Sequence, residues 1–126
     1  MKQNLYIPGD LVMAKDDVVM INEVENAAAY KDPFIYATCI NKRKSFYKQY
    51  SELKPIPLTS EILEKNGWKK ENVGYSTKNQ DPIFLYKDNG GGWAVEIGDE
   101  FISVISFVHQ LQHLLFGLGL DSNMIV

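Results

Sequence analysis

At 126 residues the chain has the length of one compact domain, and a 45% hydrophobic content lets it bury a core without metals or disulfides. A net charge of −3 argues against a protein that holds nucleic acid by its overall field, and a lone Cys39 excludes an internal disulfide and points to a reducing compartment. No cleavable leader opens the sequence and no run of about 18 apolar residues occurs, so the expectation is a cytoplasmic protein with no membrane contact.

Residues 1–58 read as strands. Ile7-Pro8-Gly9-Asp10 is a turn, and residues 11–13 and 18–24 flank the polar connection Lys15-Asp16-Asp17 as a tight hairpin. Residues 25–33 read as a longer loop, 34–40 as a β-branched and aromatic strand, Asn41-Lys42-Arg43-Lys44 as a turn, and 45–50 as another strand. Four or five short strands closing on residues 51–56 predict a small SH3-like β-barrel, whose closure would leave no free sheet edge.

Pro55 and Pro57 hold the next stretch extended and read as a hinge. A short helix then begins with Thr59 as its cap; Asn66 closes it, Gly67 takes the left-handed position, and Trp68 folds back onto Leu63. Residues 69–80 are polar and irregular. Residues 82–87, 93–97 and 100–105 predict a three-stranded antiparallel meander turning at residues 88–92 and at Gly98-Asp99. The last element, residues 106–119, is a core helix with Phe107, Val108, Leu111, Leu114, Leu115 and Leu118 on one face. The expected fold class is thus α+β: an SH3-like barrel lobe over 1–58, and a lobe of helix, meander and C-terminal helix over 59–126.

Two stretches carry candidate chemistry. Lys42, Arg43, Lys44, Phe46, Tyr47, Lys48 and Tyr50 combine four cations and three aromatic rings in nine residues, a composition that suits stacking on bases and contact with phosphates. On a strand, residues 44, 46, 48 and 50 share one face and Tyr47 the other. The competing reading is a basic turn leading into a barrel strand whose rings serve the core. The charge split favours the first half as the place for a basic face: eight Lys/Arg against seven Asp/Glu in residues 1–58, and five against nine in 59–126.

His109, Gln110, Gln112 and His113 form the second stretch, a polar flank of the final helix suited to contact with a partner. The His109/His113 spacing is that of a zincin helix, but Gln110 stands where that motif needs Glu, and no third ligand accompanies the pair, so no metal is assigned. Gly90-Gly91-Gly92 runs into Trp93-Ala94-Val95, a strand, and reads as a hairpin tip, not a phosphate loop. No nucleophile–base constellation is visible; no catalytic residue and no cofactor are assigned.

The stretches Leu53-Lys54-Pro55-Ile56-Pro57-Leu58-Thr59-Ser60-Glu61-Ile62-Leu63-Glu64-Lys65-Asn66-Gly67-Trp68 and Val108-His109-Gln110-Leu111-Gln112-His113-Leu114 resemble the KPIPLTxExLxKxGF and VHQLQNLYFALTG motifs of a family of small uncharacterised proteins from Bacteroides-group gut bacteria and their phages. Here Trp68 stands for the family's Phe, His113 for its Asn, and Gly117-Leu118-Gly119 replaces its Ala-Leu-Thr-Gly ending. The resemblance implies a two-lobed fold and a mobile-element origin, and transfers no activity. The function expected is that of a non-enzymatic binding module with a protein partner; the alternative is a nucleotide or nucleic-acid binder, such as a phage factor that sequesters a host nucleotide signal. Oligomeric state is not readable from the sequence.

Overall fold

The structure, a computed structural model, describes residues 6–24, 32–77 and 82–126. Most of the loop expected over 25–33, and the end of the irregular stretch 69–80, lie outside them. The fold is mixed α+β, with two five-stranded antiparallel sheets and two helices.

Strands β1 (Leu11–Ala14) and β2 (Asp17–Val24) form the expected hairpin, with Lys15 in the turn at φ 57°. β3 (Phe34–Cys39) and β4 (Lys44–Gln49) continue the meander, a 3-10 turn covers Tyr50–Glu52, and β5 (Leu53–Pro55) returns beside β1. The sheet order is β4-β3-β2-β1-β5. Among the described residues β4 and β5 do not pair with each other, so the sheet stays open and the expected barrel closure is not formed. One face packs Val12, Val19, Ile21, Ile35, Ala37, Cys39 and Leu53 into a core of its own.

The linker after β5 is no hinge. Leu58 N–H donates to Ser106 O at 2.9 Å, Val108 N–H to Ile56 O at 2.8 Å, and Trp93 Nε1–H to Leu58 O at 2.8 Å. Ile56 and Leu58 are buried. The prolines hold the chain extended, and extended chain can pair; here it pairs with the entrance to the last helix.

Helix α1 (Ser60–Lys65) follows its expected punctuation. Thr59 Oγ1 accepts from Ile62 N–H at 3.2 Å, Gly67 is left-handed at φ 86°, and Gly67 and Trp68 donate to Glu64 O and Leu63 O at 3.0 Å each. β8 (Ile83–Lys87), β9 (Trp93–Ile97) and β10 (Glu100–Ile105) form the expected meander, and Gly98 and Asp99 both take positive φ, as a tight hairpin turn requires. The stretch read as irregular adds two short strands, β6 (Lys69–Lys70) and β7 (Tyr75–Ser76), giving the order β10-β9-β8-β7-β6. This return depends on Gly74, because a Cβ there would collide with the Leu85 carbonyl oxygen.

Helix α2 (Val108–Gly117) lies against the inner face of the second sheet, and Gln110 Oε1 satisfies the N–H groups of Ser106 and Phe107 at its start. The main core joins Leu63, Leu85, Trp93, Val95, Ile105, Val108 and Leu111 to Leu11, Ile56 and Leu58, so it crosses the division at residue 58. Leu111 is fully buried there. Leu111→Ala should lower the unfolding free energy by about 2–5 kcal/mol, the cost of lost burial plus a cavity, measured as a reduced urea midpoint with an unchanged slope; a shift below a quarter of that would show that the two sheets do not share this core.

Candidate functional site

Two of the four polar groups of α2, His109 and Gln112, do not face outward. The expected apolar face ended on Leu118, yet Leu118 is exposed, and the helix buries Val108, His109, Leu111, Gln112 and Leu115. The difference arises because α2 is covered on two sides. Leu111 and Leu115 face the second sheet's core, while His109, Gln112 and His113 face the turn that precedes β1.

Gln112 makes three bonds there. Its Oε1 accepts from Leu11 N–H at 2.9 Å, and its Nε2 donates to Gly9 O at 3.0 Å and Ser122 O at 3.2 Å. Asp10, 1% exposed, accepts from Ile7 N–H at 2.8 Å and meets His113 Nε2 at 2.8 and 3.0 Å. Burial raises the Asp10 carboxyl above the usual carboxylate range, against the lowering effect of the Ile7 and His113 hydrogen bonds.

His109 is 1% exposed, and neither of its ring nitrogens has a hydrogen-bond partner among the described residues. The ring instead stacks on Phe107 at 6.0 Å and meets Tyr6 and His113 edge-on at 5.1 and 5.5 Å. Tyr6 stacks on Tyr50 at 4.9 Å, and burial, then the nearby Tyr50 and Asp10, push its phenol up to about 12. A cleft of about 340 Å³ opens beside Asp10 and His113, with Ile7, Pro8 and Phe116 among its other walls. Among the described residues no group of three or more His, Cys, Asp or Glu could hold a metal.

His109 and Gln112 therefore lie inside the molecule and cannot serve as the expected partner contacts; Gln110, which caps its own helix, and His113 are half-buried and reach the surface. Asp10 and Tyr6 were not foreseen. Asp10 is 103 positions from His113, and a lone Asp in a turn carries no sign of so distant a partner.

The basic stretch is divided by the sheet. Lys44, Phe46 and Lys48 pair across to Cys39, Ala37 and Ile35, so they share the core-side face as expected. Phe46 packs on the core, Lys48 lies over its ring at 5.7 Å and 4.0 Å from Glu52, and Tyr50 is taken by Tyr6. Tyr47 lies on the other face, 61% exposed and tilted against Tyr36 at 4.9 Å. Lys42, Arg43 and Lys44 are exposed in and beside the turn, with Lys42 3.3 Å from Asp17.

No protein-family model, curated protein or solved structure matches the chain. Its function has to be argued from its own surfaces. On the second sheet Phe101, Ile102 and Val104 of edge strand β10 are 59%, 47% and 43% exposed, three apolar side chains within four residues. Cross-strand register places Phe84 and Glu96 in the row of Phe101, and Tyr86 and Ala94 in the row of Val104. This is the face turned away from α2, since the alternate residues Ile83, Leu85, Trp93 and Val95 fill the core.

Burial holds His109 neutral, and the neighbouring His113 adds to the effect, so its pKa falls from 6.5 to about 4. Between those values the unfolded chain takes up a proton that the folded chain refuses. Stability should fall as the pH drops from 6.5 to 4, by on the order of 3 kcal/mol for the whole shift. Asp10 works the other way, because its raised pKa lets the folded chain take up that proton first, and it offsets part of the loss. Urea titrations at pH 7 and pH 5 on the wild type and on His109→Leu test this: the variant should lose much of the pH dependence, and an unchanged slope would show that His109 is not held neutral.

Proposed function

We propose that the chain is a non-enzymatic protein-interaction module, carried by a phage or another mobile element of Bacteroides-group bacteria and acting in the cytoplasm. The first sheet is read as an open SH3-like unit, on the strength of a meander of four strands with the fifth returned beside the first. One observation carries the interaction reading: Phe101, Ile102 and Val104 stand exposed together at a sheet edge and continue into Phe84 and Tyr86. Single exposed apolar residues are normal on a protein surface, but a contiguous patch is a mark of association. The proposed site is this face, in place of the helix flank. The origin rests on the two sequence motifs.

Bait experiments in lysate of a Bacteroides-group host test the reading. The wild type should capture a defined protein that is lost with Phe101→Thr/Val104→Thr, substitutions that keep β-propensity while removing apolar area. Equal capture by both proteins, or none above a scrambled-surface control, would overturn it.

The nucleotide reading keeps one supporting observation, the exposed turn Lys42-Arg43-Lys44 next to the exposed ring of Tyr47. If it holds, oligonucleotides or cyclic nucleotides should bind with an affinity that falls steeply with salt and is weakened by Lys→Ala at 42, 44 and 48. Salt-independent binding, or none, removes it.

A further inference from the structure

We infer that residues 120–126 are a removable strap over a second binding surface, a groove beside the end of α1 that takes an extended peptide segment of a partner with the pattern apolar–any–apolar. The inference stands apart from the reading of the β10 face, because it uses none of that face's residues.

The strap itself shows how such a segment is held. After α2, Gly119 at φ 75° turns the chain, and Leu120 N–H donates to Leu115 O at 2.9 Å. Residues 121–126 then run outside helices and strands, anchored first by the bond from Gln112 Nε2 to Ser122 O. Asn66, which closes α1, bonds both main-chain groups of Ile125: its Oδ1 accepts from Ile125 N–H at 2.8 Å, and its Nδ2 donates to Ile125 O at 2.7 Å. One side-chain amide thus copies one rung of an antiparallel ladder. Its Nδ2 also donates to Ile62 O at 2.8 Å, which orients the amide independently of the strap. Met124 and Val126 pack on the main core, whereas Ile125 between them is 63% exposed, the alternation of an extended chain. Main-chain bonds combined with alternate side chains are a recurring way of reading an extended peptide.

Two observations set the strap apart from the core. From Phe116 onward every residue is exposed or half-buried, so the strap lies on the core without entering it. It also fills its groove incompletely: a cleft of about 380 Å³ remains, walled by Lys65, Asn66 and Gly67 of the α1 end and by Asn123, Met124 and Ile125 of the strap. A tethered segment of this kind is a built-in competitor, displaced by a partner segment that offers more apolar area at the same two positions. The middle residue must supply an N–H, so proline is excluded there.

The test uses the full chain and a capped peptide, acetyl-Asp-Ser-Asn-Met-Ile-Val-amide, which repeats residues 121–126. Two variants should release the strap by different means: Met124→Ser/Val126→Ser removes its apolar hold, and Ile125→Pro removes the N–H that Asn66 accepts. Followed through the Gly67 amide signal in nitrogen–proton correlation spectra, the peptide should bind both variants about tenfold or more tightly than the wild type, in which the strap leaves the groove free no more than about a tenth of the time. Asn66→Ala added to either variant should abolish binding, and a peptide with serine at both apolar positions, or proline between them, should not bind. Folded variants that ignore the peptide, binding that survives Asn66→Ala, or equal binding by wild type and variants would overturn the inference. So would two variants that fail to fold, which would make the strap an indispensable part of the core, or a dimeric wild type that Asn66→Ala turns monomeric, which would give the groove to the strap of a second copy.

Discussion

The Gln112 side chain is the joint on which the two halves depend. A primary amide offers two donors and two acceptor lone pairs, and this one spends them on Leu11 N–H, Gly9 O and Ser122 O. The Leu11 N–H lies where water is scarce, so leaving its bond unmade would cost about 1–3 kcal/mol, whereas Gly9 O and Ser122 O lie beside the open cleft. The bond to Leu11 N–H satisfies the first residue of β1 on the opposite edge of the chain's history, 101 positions away. Helix α2 is thereby fixed in rotation and height against the first sheet, while Leu111 and Leu115 fix it against the second.

Asp10 and His113, each next in sequence to a residue of that joint, extend it and show why it is specific as well as stable. Apolar packing tolerates a small rotation of a helix, because one methyl contact is much like another. A carboxylate bonded to both Ile7 N–H and an imidazole tolerates far less, since a displaced partner leaves a buried charge alone. His109 sits inside the same junction at a cost: both ring nitrogens are buried without a partner among the described residues, and the ring is retained through its contacts with Phe107, Tyr6 and His113. The junction thus couples a specific polar geometry to a histidine held neutral by burial.

What could be read from the sequence is what local chemistry determines. Thr59, Asn66 and Gly67 act within a turn of one another, and Gly98-Asp99 needs only its own two residues to take positive φ. The failures are all non-local. Strands β6 and β7 exist because Gly74 lets the chain approach Leu85, a fact of two distant segments. His109 and Gln112 looked like an outer flank because helical periodicity counts one apolar face, and it cannot foresee a helix covered on two sides. The prolines were read correctly as extended and wrongly as free, because pairing with residues 106–108 lies fifty positions downstream. Of the candidate site, the basic turn and Tyr47 were legible as exposed chemistry; the Asp10 carboxylate was not.

The same division between local and distant effects explains where the surface chemistry sits. Leu11, Met13, Val18 and Met20, on the face of the first sheet that carries Tyr36 and Tyr47, pack on the core shared with α2, and β4 and β10 each end their sheet. The turns that join those strands to their neighbours must be polar to stay solvated, and one is basic while the other is acidic. Each turn stands beside a strand with an exposed aromatic ring, Tyr47 on β4 and Phe101 on β10. The polar seam at Gln112, Asp10 and His113 sets how the two sheets are held, so a change there would shift one exposed ring relative to the other without touching either.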